Sequence, residues 1–172
     1  MKLVSLLILA ACCSTACAEV AFAPFRKPKE CIELPLKYGL KPLAGPQPTW
    51  RDLGLGWTSQ TEVTTHKGGL TKVGDIDNDV TCLFSSSGEE SIESVKVTAN
   101  CFNAEGATAT LKKFRQVIEG LLQAWNVDRS AEVFAKFDPT EGRKIEGETY
   151  VIELQHEKFR TGYGIVFKMT TK

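Results

Sequence analysis

The chain has 172 residues, with 21 Lys and Arg against 21 Asp and Glu, so its formal net charge is zero with histidines neutral. That balance, with no Lys/Arg run, excludes the basic footprint of a nucleic-acid binder. An apolar share of 42 % and a charged share of 24 % are those of a globular domain rather than a disordered chain.

The chain opens "MKLVSLLILAACCSTACAEV". One cation, Lys2, precedes a small and apolar run from Leu3 to Cys13. A bilayer span needs ~20 apolar residues, so the run is too short to cross. It has the form of a secretory signal, assigned to residues 1–18. Two exits follow it. Ala16-Cys17-Ala18 offers an ordinary cut before Glu19, which would give a soluble periplasmic or secreted product. Leu9-Ala10-Ala11-Cys12 resembles the lipobox of bacterial prolipoproteins. That resemblance implies a diacylglycerol on the Cys12 sulfur, cleavage just before Cys12 and acylation of the new amine. Each buried CH₂ contributes ~0.8 kcal/mol, so two or three chains hold a protein at a membrane without a spanning helix. The expectation is a lipid-anchored protein of the periplasm or outer-membrane surface, touching the membrane through that anchor alone.

Residues 19–49 contain Pro24, Pro28, Pro35, Pro42, Pro46 and Pro48. Proline is excluded from helix interiors and central strands, which predicts a tether running into an irregular arm, with "CIELPL" as a short edge strand. Trp50 and Trp57 flank "RDLGLG" and are expected to pin the arm to a single domain over residues 50–172.

"TEVTTHKGGLTKV" alternates around Gly68-Gly69 and reads as a hairpin. In "DVTCLF", Val80, Cys82 and Phe84 share a face. "SSGEE" is a turn. In "SIESVKVTANCF", Val95, Val97, Ala99 and Cys101 share a face, with Lys96, Thr98 and Asn100 opposite. Centring the turn near Gly88 puts Cys82 opposite Val95 and Cys101 opposite Ile76. The period then becomes helical: Leu111, Phe114, Val117, Ile118, Leu121, Leu122 and Trp125 form one apolar stripe. "SAEVFAKF" is a short helix with Ser130 as its N-cap, ended by Asp138-Pro139. "DPTEGRKIEGE" reads as a loop. "TYVIELQHEKF" and "GYGIVFKMT" form a closing hairpin; with "FRTG" as the turn, Leu154 faces Phe167, Ile152 faces Met169 and His156 faces Ile165. The predicted fold is α+β: an antiparallel β-meander, one long amphipathic helix packed on the sheet, then a C-terminal β-hairpin.

Cys31, Cys82 and Cys101 fall in the folded part. An exported chain meets an oxidising compartment, so one disulfide is expected. The predicted register separates Cys82 from Cys101 by ~20 Å at ~3.4 Å per residue, leaving Cys31 as the expected partner of one of them.

Candidates for chemistry are few. "DIDND" offers Asp75, Asp77 and Asp79, but an EF-hand needs Gly at its sixth place and Glu at its twelfth, where Val80 and Ser86 stand. A turn is the better reading. His66 and His156 are the two histidines. His156 lies on the core-facing side of its strand, away from Glu153 and Glu157, and reads as a half-buried sheet residue. "SSSG" lacks the Gly-x-Ser-x-Gly elbow. No metal site, cofactor site or catalytic set emerges. A lipobox, a Pro-rich tether and a compact α+β domain resemble small envelope lipoproteins of the toxin-immunity and hydrolase-inhibitor kind. The resemblance implies an unidentified protein partner, with an envelope hydrolase bearing a carboxylate site or a structural envelope-assembly component as alternatives. Binding energy concentrates in a few aromatic and Arg anchors, which nominates Trp50, Trp57, Arg143 and Arg160 as contact residues.

Overall fold

The computed structural model describes residues 28–62, 77–135 and 142–172. The signal and lipobox region with Cys12, the Gly68-Gly69 hairpin, His66, Asp75, Ile76 and Asp138-Pro139 lie outside the described residues.

The element order is α1 (Pro28–Ile32), a 3₁₀ turn (Leu34–Tyr38), β1 (Arg51–Asp52), β2 (Trp57–Gln60), β3 (Asp79–Ser86), β4 (Ser94–Cys101), α2 (Ala104–Ala124), α3 (Ser130–Phe134), β5 (Arg143–Glu146), β6 (Tyr150–Phe159) and β7 (Gly162–Thr171). Among the described residues, seven strands form one sheet in the order β1-β2-β3-β4-β7-β6-β5, antiparallel at every junction. The α+β class is therefore observed. The helices interrupt the chain between β4 and β5. The second run of strands then folds back, so that β7, the last element, lies in the middle of the sheet between β4 and β6.

Alternation along the central strands decides which face is buried. Val80, Cys82 and Phe84 of β3, Val95, Val97 and Ala99 of β4, Ile165, Phe167 and Met169 of β7, and Ile152 and Leu154 of β6 are all buried. The helix α2 covers this face, packing on β4 and β3. Its stripe is buried as predicted from Phe114 to Trp125, with Leu111 packed partly buried beside it. On the uncovered face the register sets Lys96, Lys168, Glu153 and Lys144 in one cross-strand row.

Asn103 caps α2, accepting a hydrogen bond from the Gly106 N–H at 3.1 Å. Asn78 ties that cap to the start of β3. Its Oδ1 accepts from the N–H groups of Phe102 (2.6 Å) and Asn103 (2.9 Å), while its Nδ2 donates to the Asn103 carbonyl at 2.8 Å. The "DIDND" segment thus spends its asparagine on joining strand to helix, and Asp79 Oδ1 accepts from Asn100 Nδ2 at 2.8 Å.

Several expectations need correction. The described part of the proline-rich arm starts with helical turns over residues 28–38 and is irregular only after them, and "CIELPL" is not a strand. Pro28 opens α1 and Pro35 sits in the first turn of the 3₁₀ segment, where a missing N–H costs nothing. Cys31, Ile32 and Leu40 belong to the core, so the folded unit reaches back beyond residue 50. Gly39 closes the 3₁₀ turn with φ 79°, in the left-handed region that favours glycine. In the β3–β4 pair, Cys82 faces Val97 rather than Val95. The pairing is shifted by two residues, which preserves every side chain's face. The segment "RKIE" is the edge strand β5, not loop. Arg129 rather than Ser130 occupies the N-cap position of α3, and no side chain caps it. The closing hairpin holds as predicted: Leu154 faces Phe167, Ile152 faces Met169 and His156 faces Ile165.

Candidate functional site

The β1–β2 hairpin turns through Leu53-Gly54-Leu55-Gly56. Asp52 Oδ1 accepts the Gly54 N–H at 2.8 Å, and the Leu53 N–H donates to the Gly56 carbonyl at 3.2 Å. Gly54 and Gly56 adopt φ values of 83° and 117°. At Gly56 a Cβ would also lie 2.6 Å from the Ser86 carbonyl oxygen, so the loop runs against β3 only because no side chain is there.

This braced turn presents apolar side chains to water. Leu55 is fully exposed and Leu53 is 59 % exposed. Leu43 is 48 % exposed and is fastened to the same edge, its N–H donating to the Gln60 carbonyl at 3.0 Å. Isolated exposed leucines are ordinary, whereas a contiguous apolar patch is informative. Among the described residues, these three are the exposed large hydrophobics, and all sit on one sheet edge. Full burial of a leucine is worth ~1.5–3 kcal/mol, so this edge holds several kcal/mol of apolar contact that the fold does not use.

Trp50 and Trp57 flank the turn in sequence and stack with ring centroids 6.2 Å apart, Trp50 packing against the core. Trp50 Nε1 donates to the Glu89 carbonyl at 2.8 Å, joining the hairpin to the β3–β4 turn. Both rings are half-buried. Two clefts flank Leu53. One, of about 410 Å³, lies between Leu53, Leu55, Trp57, Ser87, Glu93 and Thr170. The other, of about 250 Å³, lies between Leu43, Ala44, Arg51, Leu53, Thr58 and Leu83. Glu93 is held by Ser87, whose N–H donates to Oε2 at 3.1 Å and whose Oγ donates to Oε1 at 2.5 Å. Hydrogen bonding to Ser87 holds its carboxyl below the usual range.

The four nominated contact residues do not converge. Trp50 and Trp57 belong to the apolar edge, as its support. Arg143 lies on β5, at the opposite edge of the sheet, where its Nη1 donates to the Ala135 carbonyl. Five strand spacings of ~4.8 Å separate β2 from β5. Arg160 is exposed in the β6–β7 turn.

Among the described residues no disulfide forms: Cys31, Cys82 and Cys101 are each free and buried. Cys31 lies under α2, accepting from Trp125 Nε1 at 3.4 Å, while Cys82 and Cys101 stand on neighbouring strands out of register. Burial pushes all three thiols up, Cys82 furthest. His156 is half-buried with its ring 5.6 Å from that of Tyr163. Among the described residues no three His, Cys, Asp or Glu side chains gather as a metal site. A polar cleft of about 340 Å³ lies between Lys41, Glu62, Asp79, Thr110 and Lys113, at the far end of β2 from Leu53 and Leu55.

Leu43, Leu53 and Leu55 were not nominated from sequence. The available signal was "DLGLG", where apolar residues alternate with glycine and no helical or strand period continues. Comparison with family models, with curated proteins and with solved structures found no match.

Proposed function

We propose that this chain is an exported, lipid-anchored envelope protein that acts by binding another protein, in the manner of an immunity protein or a hydrolase inhibitor. The observation that carries the reading is the β1–β2 turn. It displays Leu53 and Leu55 on a backbone already fixed by the Asp52 and Gly56 hydrogen bonds. A preorganised loop loses little freedom on docking, so more of its apolar burial survives as affinity. Anchoring at Cys12 accounts for the "LAAC" that closes the leader. No helix among the described residues is long and apolar enough to cross a membrane.

Two experiments test this. Mass spectrometry of the mature protein should find a lipidated N-terminus at Cys12; a soluble product beginning at Glu19 refutes the anchor. In a deletion strain, Leu53→Ser/Leu55→Ser should fail to restore the phenotype while melting like the parent, because both side chains already face water. His156→Ala should restore it. Full activity of the leucine variant, or loss of activity in a folded His156→Ala protein, would replace binding with an enzymatic reading.

A further inference from the structure

The charges around the apolar edge specify what it meets. Asp52, Glu89 and Glu90 are exposed beside the Leu53–Gly56 turn, and Glu93 is exposed in the cleft that Leu53 and Leu55 line. Their placement follows from the packing of Trp50 against the Glu89 carbonyl, which holds the β3–β4 turn next to the hairpin tip. The cation of this hairpin, Arg51, lines the other cleft, on the far side of Leu53. Lys172, just after β7, is turned away; its Nζ donates to the Gly147 carbonyl at 2.8 Å and lies 3.8 Å from Glu146, while Lys96 and Lys168 stand in the next cross-strand row of the same face, beyond Ser94 and Thr170 of the cleft and farther from the turn than the glutamates. The Glu93 carboxylate is oriented by Ser87 through both oxygens, with lone pairs remaining for a donor from outside.

We propose that the partner is a protein presenting an apolar socket rimmed by Lys or Arg side chains. The leucines enter the socket, and Glu89, Glu90 and Glu93 face its basic rim. This rests on the protein-binding reading above and adds the sign and position of the partner's charge. The same acidic rim disfavours an anionic lipid surface, the other natural home for exposed leucines. Rim charges act mainly on encounter and register, while buried apolar anchors supply most of the holding energy.

The test uses the full-length, membrane-attached protein with a photo-crosslinking side chain, benzoylphenylalanine, at position 43. Adduct yield is measured in isolated envelopes at about 0.1 M and about 1 M salt, over which the Debye length falls from ~10 Å to ~3 Å. Adduct formation alone supports nothing here; its charge dependence does. Glu89→Gln/Glu90→Gln/Glu93→Gln should lower the protein adduct about tenfold at low salt, the lower end of electrostatic steering. It should also remove the salt dependence, and the crosslinked partner peptide should be flanked by Lys or Arg. A protein adduct insensitive to both salt and the triple variant refutes the basic rim and leaves protein binding standing. Adducts to phospholipid alone make this edge a membrane contact, which overturns both. No adduct of any kind overturns both as well.

Discussion

Gly120 lies in the interior of α2, where glycine costs ~1 kcal/mol relative to alanine. On an isolated helix, Gly120→Ala would therefore stabilise. In the folded chain the new Cβ would stand 2.6 and 2.7 Å from Cζ and Cε2 of Tyr38, the last residue of the 3₁₀ turn that packs on α2. Real Cβ contacts are not that short, so the Tyr38 ring must swing out and the turn with it. Overpacking of this kind costs ~1–3 kcal/mol. The net effect in the parent is a loss of about 0–2 kcal/mol. In a Tyr38→Ala background the obstacle is gone, and the same change should gain about 1 kcal/mol. The two backgrounds should therefore differ by ~1–3 kcal/mol, a coupling that a double-mutant cycle on urea midpoints measures directly. If Gly120→Ala stabilises equally in both backgrounds, residues 34–38 do not pack on the helix, and the assignment of Cys31, Ile32 and Leu40 to the core falls with that contact.

Leu121→Ala, at a side chain with no exposure, should cost ~2–5 kcal/mol by denaturant titration; a change below about 1 kcal/mol would mean the stripe of α2 does not face the core. Asn78→Ala leaves the N–H groups of Phe102 and Asn103 without their acceptor and should cost ~2 kcal/mol, whereas Asn78→Asp, which keeps that acceptor, should cost less. A non-reducing peptide map should recover Cys31, Cys82 and Cys101 unjoined to one another, and a disulfide between any two would contradict the structure. Cys82, whose thiol is pushed up by burial, should resist alkylation at mildly alkaline pH until urea unfolds the chain; labelling at the rate of a free thiol would place β3 at the surface.

The sequence was most legible where one local rule set the geometry. The β6–β7 register follows from a two-residue turn, because any slip by one would have put Ile152, Leu154, Phe167 and Met169 on the wrong face. The β3–β4 connection is longer and contains several polar residues, so its centre is not marked, and only the face of each strand could be read. The edge strand β5 has one buried apolar residue, Ile145, between charged neighbours; edge strands are protected by such charges and read as loop. Pro28 and Pro35 read as helix breakers by residue type, although proline in a first turn is compatible with helix. The candidate site was half legible. Aromatic content drew attention to Trp50 and Trp57, which brace the turn. The leucines they brace escaped notice because sequence reasoning assigns an apolar side chain to the interior by default. Only the folded hairpin shows that nothing among the described residues covers them.

The position of β7 has a consequence for how the molecule is made. The ten residues of this strand lie inside the sheet, bonded to β4 on one side and β6 on the other. A chain emerging amino end first from a ribosome presents β1 to β4 and then β5 and β6 as two fragments whose shared border does not yet exist. Cooperative folding must await β7, and its pairing with β4 joins residues far apart in sequence, which slows closure. Until β7 is in place the two fragments lack their common neighbour, and the chain stays more easily unfolded than the finished sheet.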